Sequence, residues 1–345
     1  MQIGIYMPTH GVGLRDEEAW FWQDVPAREM RPVEVAQQAE RLGYHSVWFG
    51  DHVTMPKTTV GAHPTNPDAT ARRAYPIDVN ILDGLVTMGA VAAKTSRIRL
   101  APGVLIAPYR HPLHDARQLA AVDVLSNGRL LVGVGPGWNA EEFAALGVPF
   151  AERVPVMLEC IEVYKAAWSQ DDVEYHGRYY DFAQLSMDPK PARRPRPPLL
   201  MGALTPAGGR RAVQCCDGLY TAIQAPYDDV RMFDATQEAV REEGERLGRD
   251  LSRFYMWTVT SAYLTAADHP LAAKKVRPHC TGTPAQVLSD LAGFAAAGYS
   301  LVNLIFDAPS GTVAELQEQV EWFGTEVLPH CGAIAAAGEW NRVAP

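Results

Sequence analysis

Residues 98–134, IRLAPGVLIAPYRHPLHDARQLAAVDVLSNGRLLVGV, decide the fold. Ile98–Ile106 reads as a strand carrying a Pro-Gly interruption. Pro112–Leu125 reads as a helix, and Pro112 suits its first position because it has no N–H to leave unpaired. Arg129–Val134 is a strand again. A strand, a helix and a second strand in so short a span form the unit from which parallel α/β folds are built.

Working outward, the same alternation continues in both directions. Towards the N-terminus lie a strand at Gln2–Met7 ended by Pro8, a helix at Pro32–Leu42 stopped by Gly43, a strand at Ser46–Phe49 and a helix at Leu82–Thr95. Towards the C-terminus come helices at Glu141–Leu146 and Ala151–Trp168, a strand at Pro198–Met201 and a short helix at Gly209–Cys216. A strand at Leu219–Ala222 and a charged helix at Asp229–Leu247 follow. Phe254–Leu264 (strand), Pro284–Ala297 (helix), Leu301–Phe306 (strand) and Val313–Leu328 (helix) complete the pattern. Eight such units predict an α/β chain of the closed (β/α)8 TIM-barrel type, with a doubly wound open sheet as the alternative.

Two segments break the alternation. Residues 53–80 are long, polar and rich in Thr, Pro and Arg, which predicts a lid-like insertion. Residues 173–191, VEYHGRYYDFAQLSMDPKP, alternate aromatics around a His-Gly turn and predict a hairpin insertion. The expectation is one domain over residues 1–330 and a C-terminal tail over 331–345.

Composition narrows the function classes. The chain has 345 residues, 47% hydrophobic and 21% charged, with no apolar run that approaches a membrane span. The start MQIGIYMPTHG lacks the basic and apolar regions of a secretory signal. A formal charge of −9 speaks against nucleic acid or an anionic membrane as the partner, since both need a positive footprint. Of five cysteines, Cys215 and Cys216 are adjacent and none forms a C-x-x-C pair, so neither a zinc site nor a redox dithiol is indicated. A reducing cytoplasm is the expected location.

In a barrel of this kind ligands gather at the C-terminal ends of the strands, whatever the chemistry. The residues there are rich in Gly, His, Trp and hydroxyls and poor in acids, which suits a planar, phosphate-bearing ligand better than a metal cage. Asp51-His52 closes the second strand. An imidazole at that place can serve as proton donor, base or hydrogen-bond partner, or it can be a loop histidine paired with Asp51. His111 and His114 precede and enter a helix without a third ligand, so no metal site is assigned. His10, His63, His176 and His279 stand alone and default to surface loops.

Gly133–Asn139 (GVGPGWN) places Gly135, Gly137 and Trp138 between a strand and a helix, where glycine lets backbone approach a ligand closely. Its spacing is neither a dinucleotide fingerprint nor a P-loop. Gly202–Arg211 (GALTPAGGRR) offers Thr205, Gly208 and Gly209 at a helix N-terminus, favourable for an anion, with Arg210 and Arg211 adding charge or simply solvated. The alternative is a capped helix start with Thr205 as cap and Pro206 at the first position. Neither G-x-S-x-G nor H-E-x-x-H is present, which gives the familiar hydrolases little support.

In order along the chain, SVWFGDHV (46–53), the continuous stretch 101–168, MDPKPARRPRPPLLMGALTPAGGRRAVQCCDGLY (187–220) and TGTPAQVLSDLAGFAAAGYSLVNLIF (281–306) resemble the luciferase-like monooxygenase superfamily. Within it, Pro108–Val148 looks most like the branch that uses the deazaflavin coenzyme F420, with FMN-using relatives sharing much of the pattern. The resemblance implies an isoalloxazine-type ring over the barrel mouth. Pro102, Gly103 and Val104 would supply a supporting bulge, often built on a non-prolyl cis peptide. His52 matches a histidine that contacts the deazaflavin ring in sugar-phosphate dehydrogenases of that branch. Their proton-donating glutamate is replaced here by Trp138, with Glu141 and Glu142 a few positions later, which leaves the general acid unassigned.

The resemblance further implies an oxidoreductase that transfers hydride to, or monooxygenates, a small organic substrate with F420. The alternatives are an FMN- and oxygen-dependent monooxygenase and a non-catalytic flavin-binding protein. A metal-dependent barrel hydrolase using His52, His111 and His114 is a further rival. His52 is the expected catalytic residue. Asp51, Pro102, Gly103, Val104, Gly135, Gly137, Trp138, Gly202, Thr205, Gly208 and Gly209 are the expected cofactor-binding set, and a homodimer is the expected assembly.

Overall fold

The Pro102-Gly103 interruption splits the strand expected over Ile98–Ile106 into Arg99–Pro102 and Leu105–Ile106, and the barrel closes at this split. A computed structural model describes residues 1–15, 20–57, 78–223, 229–274 and 277–337. Its first half runs β1 (Gln2–Tyr6), β2 (Val12–Arg15), β3 (Trp20–Gln23), α1 (Pro32–Leu42), β4 (Ser46–Phe49), α2 (Gly84–Ala92), β5 (Arg99–Pro102), β6 (Leu105–Ile106) and α3 (Pro112–Leu125). Next are β7 (Val132–Gly135), α4 (Ala140–Ala145), α5 (Arg153–Ser169), β8 (Val173–His176) and β9 (Asp181–Leu185). The second half runs β10 (Leu199–Gly202), α6 (Pro206–Cys215), β11 (Gly218–Ala222), α7 (Asp234–Leu247), β12 (Tyr255–Leu264), α8 (Pro270–Ala273) and β13 (Thr281–Gly282). It ends with α9 (Pro284–Ala296), β14 (Leu301–Phe306), α10 (Val313–Glu326) and α11 (Leu328–Cys331).

The main sheet is parallel, in the order β5-β4-β1-β14-β12-β11-β10-β7-β6. Its two ends are the halves of one split strand, and a further parallel bridge from Leu100 to Leu130 joins them to the neighbouring turn. The result is the expected (β/α)8 barrel. Side chains alternate between two cores, as strand geometry requires. Val47 and Phe49 of β4 pack outward under the helices, as do Val302, Leu304 and Phe306 of β14. Trp48, Leu301 and Ile305 point into the barrel, where Trp48 stacks on Tyr220 with ring centroids 4.6 Å apart. No helix among the described residues is long and apolar enough to cross a membrane.

Several boundaries differ from the sequence expectation for local reasons. Strand β7 starts at Val132, not Arg129, because Asp123 accepts from Leu130 N and the Arg129 guanidinium binds carbonyls of Ala92, Thr95, Ile98 and Ser126. Helix α6 starts at Pro206, with Thr205 as its cap. Helix α7 starts at Asp234, after Phe233.

An unexpected feature is the antiparallel pair β2–β3, which follows β1 directly. It is tied to the end of β14 by a Gly13–Asp307 bridge and by Ala308 N donating to Gly13 O at 2.8 Å. Within the 173–191 segment, β8 and β9 pair antiparallel. Of the segment expected to form a lid, residues 58–77 lie outside the described residues, as do 338–345 of the tail.

Candidate active site

A cavity of about 610 Å³ opens at the C-terminal ends of the barrel strands, within the range of small-molecule sites. Asp51, His52, Gly103, Val104, Gly135, Gly137, Trp138, Gly202, Thr205 and Gly208 all line it. Ten residues scattered over 158 positions of sequence therefore meet in one place. Pro102 and Gly209 are not in the lining. Pro102 pairs with Phe49 inside the sheet, and a methyl on Gly209 would overlap Thr236 of α7, so that glycine serves helix packing.

One wall is built around Val104. The Gly103–Val104 peptide is cis, Gly103 N donates to Phe49 O at 2.7 Å and Tyr6 Oη donates to Gly103 O at 3.1 Å. Side chains are missing on both sides of Val104. A Cβ on Gly135 would lie 2.6 Å from one of its methyls, and a Cβ on Gly202 would lie 3.0 Å from the other. The glycines thus let the Val104 side chain lie directly against the backbone of β7 and β10, in the lining of the cavity.

Another part of the lining is aromatic and holds His52. Gly137 adopts a positive φ of 78° and turns the chain into α4, whose first residue follows the cap Asn139. That turn carries Glu142 back towards β4. Glu142 is fully buried and accepts from His52 Nδ1 at 2.8 Å, Tyr109 Oη at 2.6 Å, Val53 N at 2.6 Å and Thr54 N at 3.1 Å. Burial pushes this carboxyl up, but the bonds from His52, Tyr109 and Thr54 outweigh it and hold it below its ordinary value. Glu142 is therefore ionised at neutral pH and saturated with donors.

Trp138 meets the His52 ring edge to face at 5.8 Å, and His10 does so at 6.5 Å. Sequence reasoning left His10 on the surface. It is instead buried at 1% exposure, with its ring 4.3 Å from Trp22 and 5.6 Å from Tyr6. Burial and the neighbouring His52 pull its pKa down to about 3, so His10 is neutral at physiological pH.

Asp51 is a correction to the ligand-binding expectation. Its Oδ1 accepts from Arg110 Nη2 at 2.5 Å, and its Oδ2 from Arg110 Nη1 at 2.9 Å and Ile106 N at 2.7 Å. Both oxygens are committed to holding β6 against β4. The pairing of His52 with Asp51 is also replaced, since His52 turns to Glu142. His111 accepts from Leu113 N as the cap of α3, and no group of three or more His, Cys, Asp or Glu among the described residues is arranged to hold a metal ion.

The α6 end is a second correction. Gly208 N donates to Thr205 Oγ1 at 3.2 Å and Gly209 N donates to Thr205 O at 2.9 Å. The two N–H groups that looked available to an anion are spent on the helix start. Positive charge reaches the cavity through side chains instead. Arg211 of α6 and Arg153 of α5 both line it. Arg153 rests over the Phe150 ring at 3.9 Å, and its Nε is buried with no hydrogen-bond partner among the described residues. Arg210 faces away and pairs with Glu242 at 2.8 Å.

Tyr6, Trp22, Arg153 and Glu142 are among the site residues to which sequence reading gave no place. Trp22 arrives on the unexpected β2–β3 pair, and Arg153 from a helix whose apolar pattern hides its one inward charge. Glu142 had a legible signal: Asn139 and Glu142 stand three apart at a helix start, directly after the glycine turn.

The profile of the family described as "Luciferase-like monooxygenase" matches residues 1–320. An uncharacterized protein of Mycobacterium tuberculosis is 37% identical over 178 residues, 51% of this chain and 61% of that protein. The matched part thus falls short of two thirds of that relative's length. An FMNH2-dependent dimethylsulfone monooxygenase of Pseudomonas putida is 26% identical over 283 residues, covering 70% of this chain and 76% of the relative. Among solved structures, the coenzyme F420-dependent tetrahydromethanopterin reductase of Methanopyrus kandleri superposes with a TM-score of 0.69. Its identity is 19%, over 95% of this chain and 99% of that one.

Proposed function

Because this chain belongs to the luciferase-like monooxygenase family, we propose that it is an oxidoreductase acting on a small organic substrate with a flavin-type cofactor, coenzyme F420, in the barrel-mouth cavity. The observation that carries this reading is a lining that combines Val104, packed between Gly135 and Gly202, with the cations Arg153 and Arg211. A flat heterocycle with an anionic tail fits both. Arg153 and Arg211 are the two cations among the described lining residues, and a guanidinium is suited to an anionic oxygen. Asp51, the acid in the lining, is neutralised by Arg110 and does not repel an anion.

The cofactor would supply the hydride or the activated oxygen, and the residues of the chain supply position, electrostatics and exclusion of water. Val104 with Gly103, Gly135 and Gly202 would seat the ring. Arg153, Arg211 and Thr205 would hold the tail. His52 would exchange a proton with the substrate, while Trp22, Trp138 and Tyr6 would enclose it. FMN is the second reading, supported by the FMNH2-dependent relative.

Parallel fluorescence titrations with F420 and FMN test the reading; binding of neither would refute it. Replacing Arg211 by Ala is expected to weaken the bound cofactor about 10- to 100-fold, the effect of one charge-assisted hydrogen bond. Arg210→Ala, on the surface pair with Glu242, should leave affinity unchanged. Equal losses for both would remove the two lining arginines from the argument.

The assembly we propose is a homodimer packed through α2 and α3. Val86 of α2 is 71% exposed and Leu125 of α3 is 64% exposed, with Val124 beside it. Each is a large apolar side chain that a partner could cover, Val86 in the first turn of α2 and Leu125 at the end of α3. Light scattering should report a dimer, and Val86→Asp with Leu125→Asp should halve the mass. A wild-type monomer would end this proposal.

A further inference from the structure

We propose that Glu142 is a positioning residue that fixes the proton of neutral His52 on Nδ1, so that Nε2 is the one ring position through which His52 exchanges a proton. The argument starts from donor counting. Glu142 is fully buried and held in its charged form, so both of its oxygens accept and neither donates. His52 Nδ1 lies 2.8 Å from Oε2, a distance that two acceptors cannot share. Nδ1 therefore carries hydrogen in both protonation states of the ring. Tyr109 donates to the same oxygen, and its hydroxyl is pushed well above its ordinary range by burial and by this carboxylate.

The other oxygen holds the backbone. Val53 N and Thr54 N both converge on Oε1, so one carboxylate anchors the imidazole and the two residues that follow it. It joins the end of β4 to α4 across 90 positions of sequence. With four donors on two oxygens, Glu142 has neither a proton to release nor a lone pair to spare for a substrate. It acts through His52 rather than on the reacting atoms. Only the use of His52 in turnover rests on the function proposed above; the tautomer does not.

Long-range proton–nitrogen correlation spectra of the protein without cofactor test this, with the His52 ring assigned by its loss in His52→Gln. At a pH high enough that the ring nitrogen shifts report the neutral form, wild type should show the Nδ1–H pattern with a preference of about tenfold or more, as a charge-assisted bond provides. In Glu142→Gln, an amide oxygen kept on the Val53 and Thr54 N–H groups turns its NH2 towards Nδ1, and the Nε2–H pattern should become the major one. Tyr109→Phe should retain the wild-type pattern. A wild-type Nε2–H pattern overturns the proposal, as does a folded Glu142→Gln whose ring is unchanged. Should Glu142→Gln fail to fold by circular dichroism, the wild-type and Tyr109→Phe spectra decide alone. Failure to bind F420 or FMN would leave these spectra unaffected, so the two readings fall separately.

Discussion

Replacing His52 by Ala is expected to lower turnover by about 10²- to 10⁴-fold, the usual scale of a lost acid–base group, while cofactor affinity changes by no more than a few-fold. The asymmetry follows from the layout of the cavity. His52 sits in the aromatic part of the lining, fixed by Glu142 and flanked by Trp138 and His10. The groups suited to holding an anionic cofactor, Arg153 and Arg211, come from α5 and α6. Removing the imidazole leaves those contacts and Val104 in place. The check is a pair of measurements: the rate of cofactor oxidation or reduction with a substrate that wild type turns over, and a fluorescence titration of the cofactor. Comparable losses in both would make His52 a structural residue.

Replacing Arg110 by Met is expected to cost about 3–5 kcal/mol of stability, the typical result of breaking a buried ion pair from one side. Arg110 holds Asp51 through two hydrogen bonds, and its Nε lies 4.0 Å from Asp115 Oδ1. The side chains of Asp51 and Asp115 are 3% and 0% exposed, so the variant strands two carboxyl groups without a counter-charge. Burial already raises both, Asp115 to about 7 even with Arg110 nearby. A carboxyl whose folded pKa lies above its unfolded value favours the folded state at low pH, and that contribution is lost as pH rises through the folded value. Without Arg110 both values rise further, so the deficit should be smallest near pH 5 and grow towards pH 8. Urea unfolding at the two pH values measures it. A loss below about 1 kcal/mol, or one independent of pH, would contradict the account.

The same ion pair shows how far sequence reasoning reaches. Asp51 was legible as a residue beside His52 at a strand end, and its place in the cavity lining agrees with that. Its partner was not legible, because Arg110 lies 59 positions away and the choice between a ligand and a guanidinium is made by packing. Gly208 and Gly209 failed as anion donors for a related reason. Composition shows that N–H groups exist at a helix start, whereas geometry shows that Thr205 uses them. His10 was misplaced because a histidine carries no sign of burial; the β2–β3 pair that brings Trp22 against it is made of strands of four residues each.

Local chemistry determined the barrel. Period-two apolar strands, Pro at helix starts and Gly at helix ends act over a few residues, and eight repetitions favour a closed barrel over the doubly wound sheet that was its alternative. The ordered strand-end motifs likewise gave the family and the face of the barrel on which to look. Only the tertiary structure decided what each polar group at that face does. Glu142, Arg110 and Arg153 take their roles from partners distant in sequence. A buried charge acquires its protonation state and its function from whatever donor or acceptor the folded chain sets within about 3 Å of it.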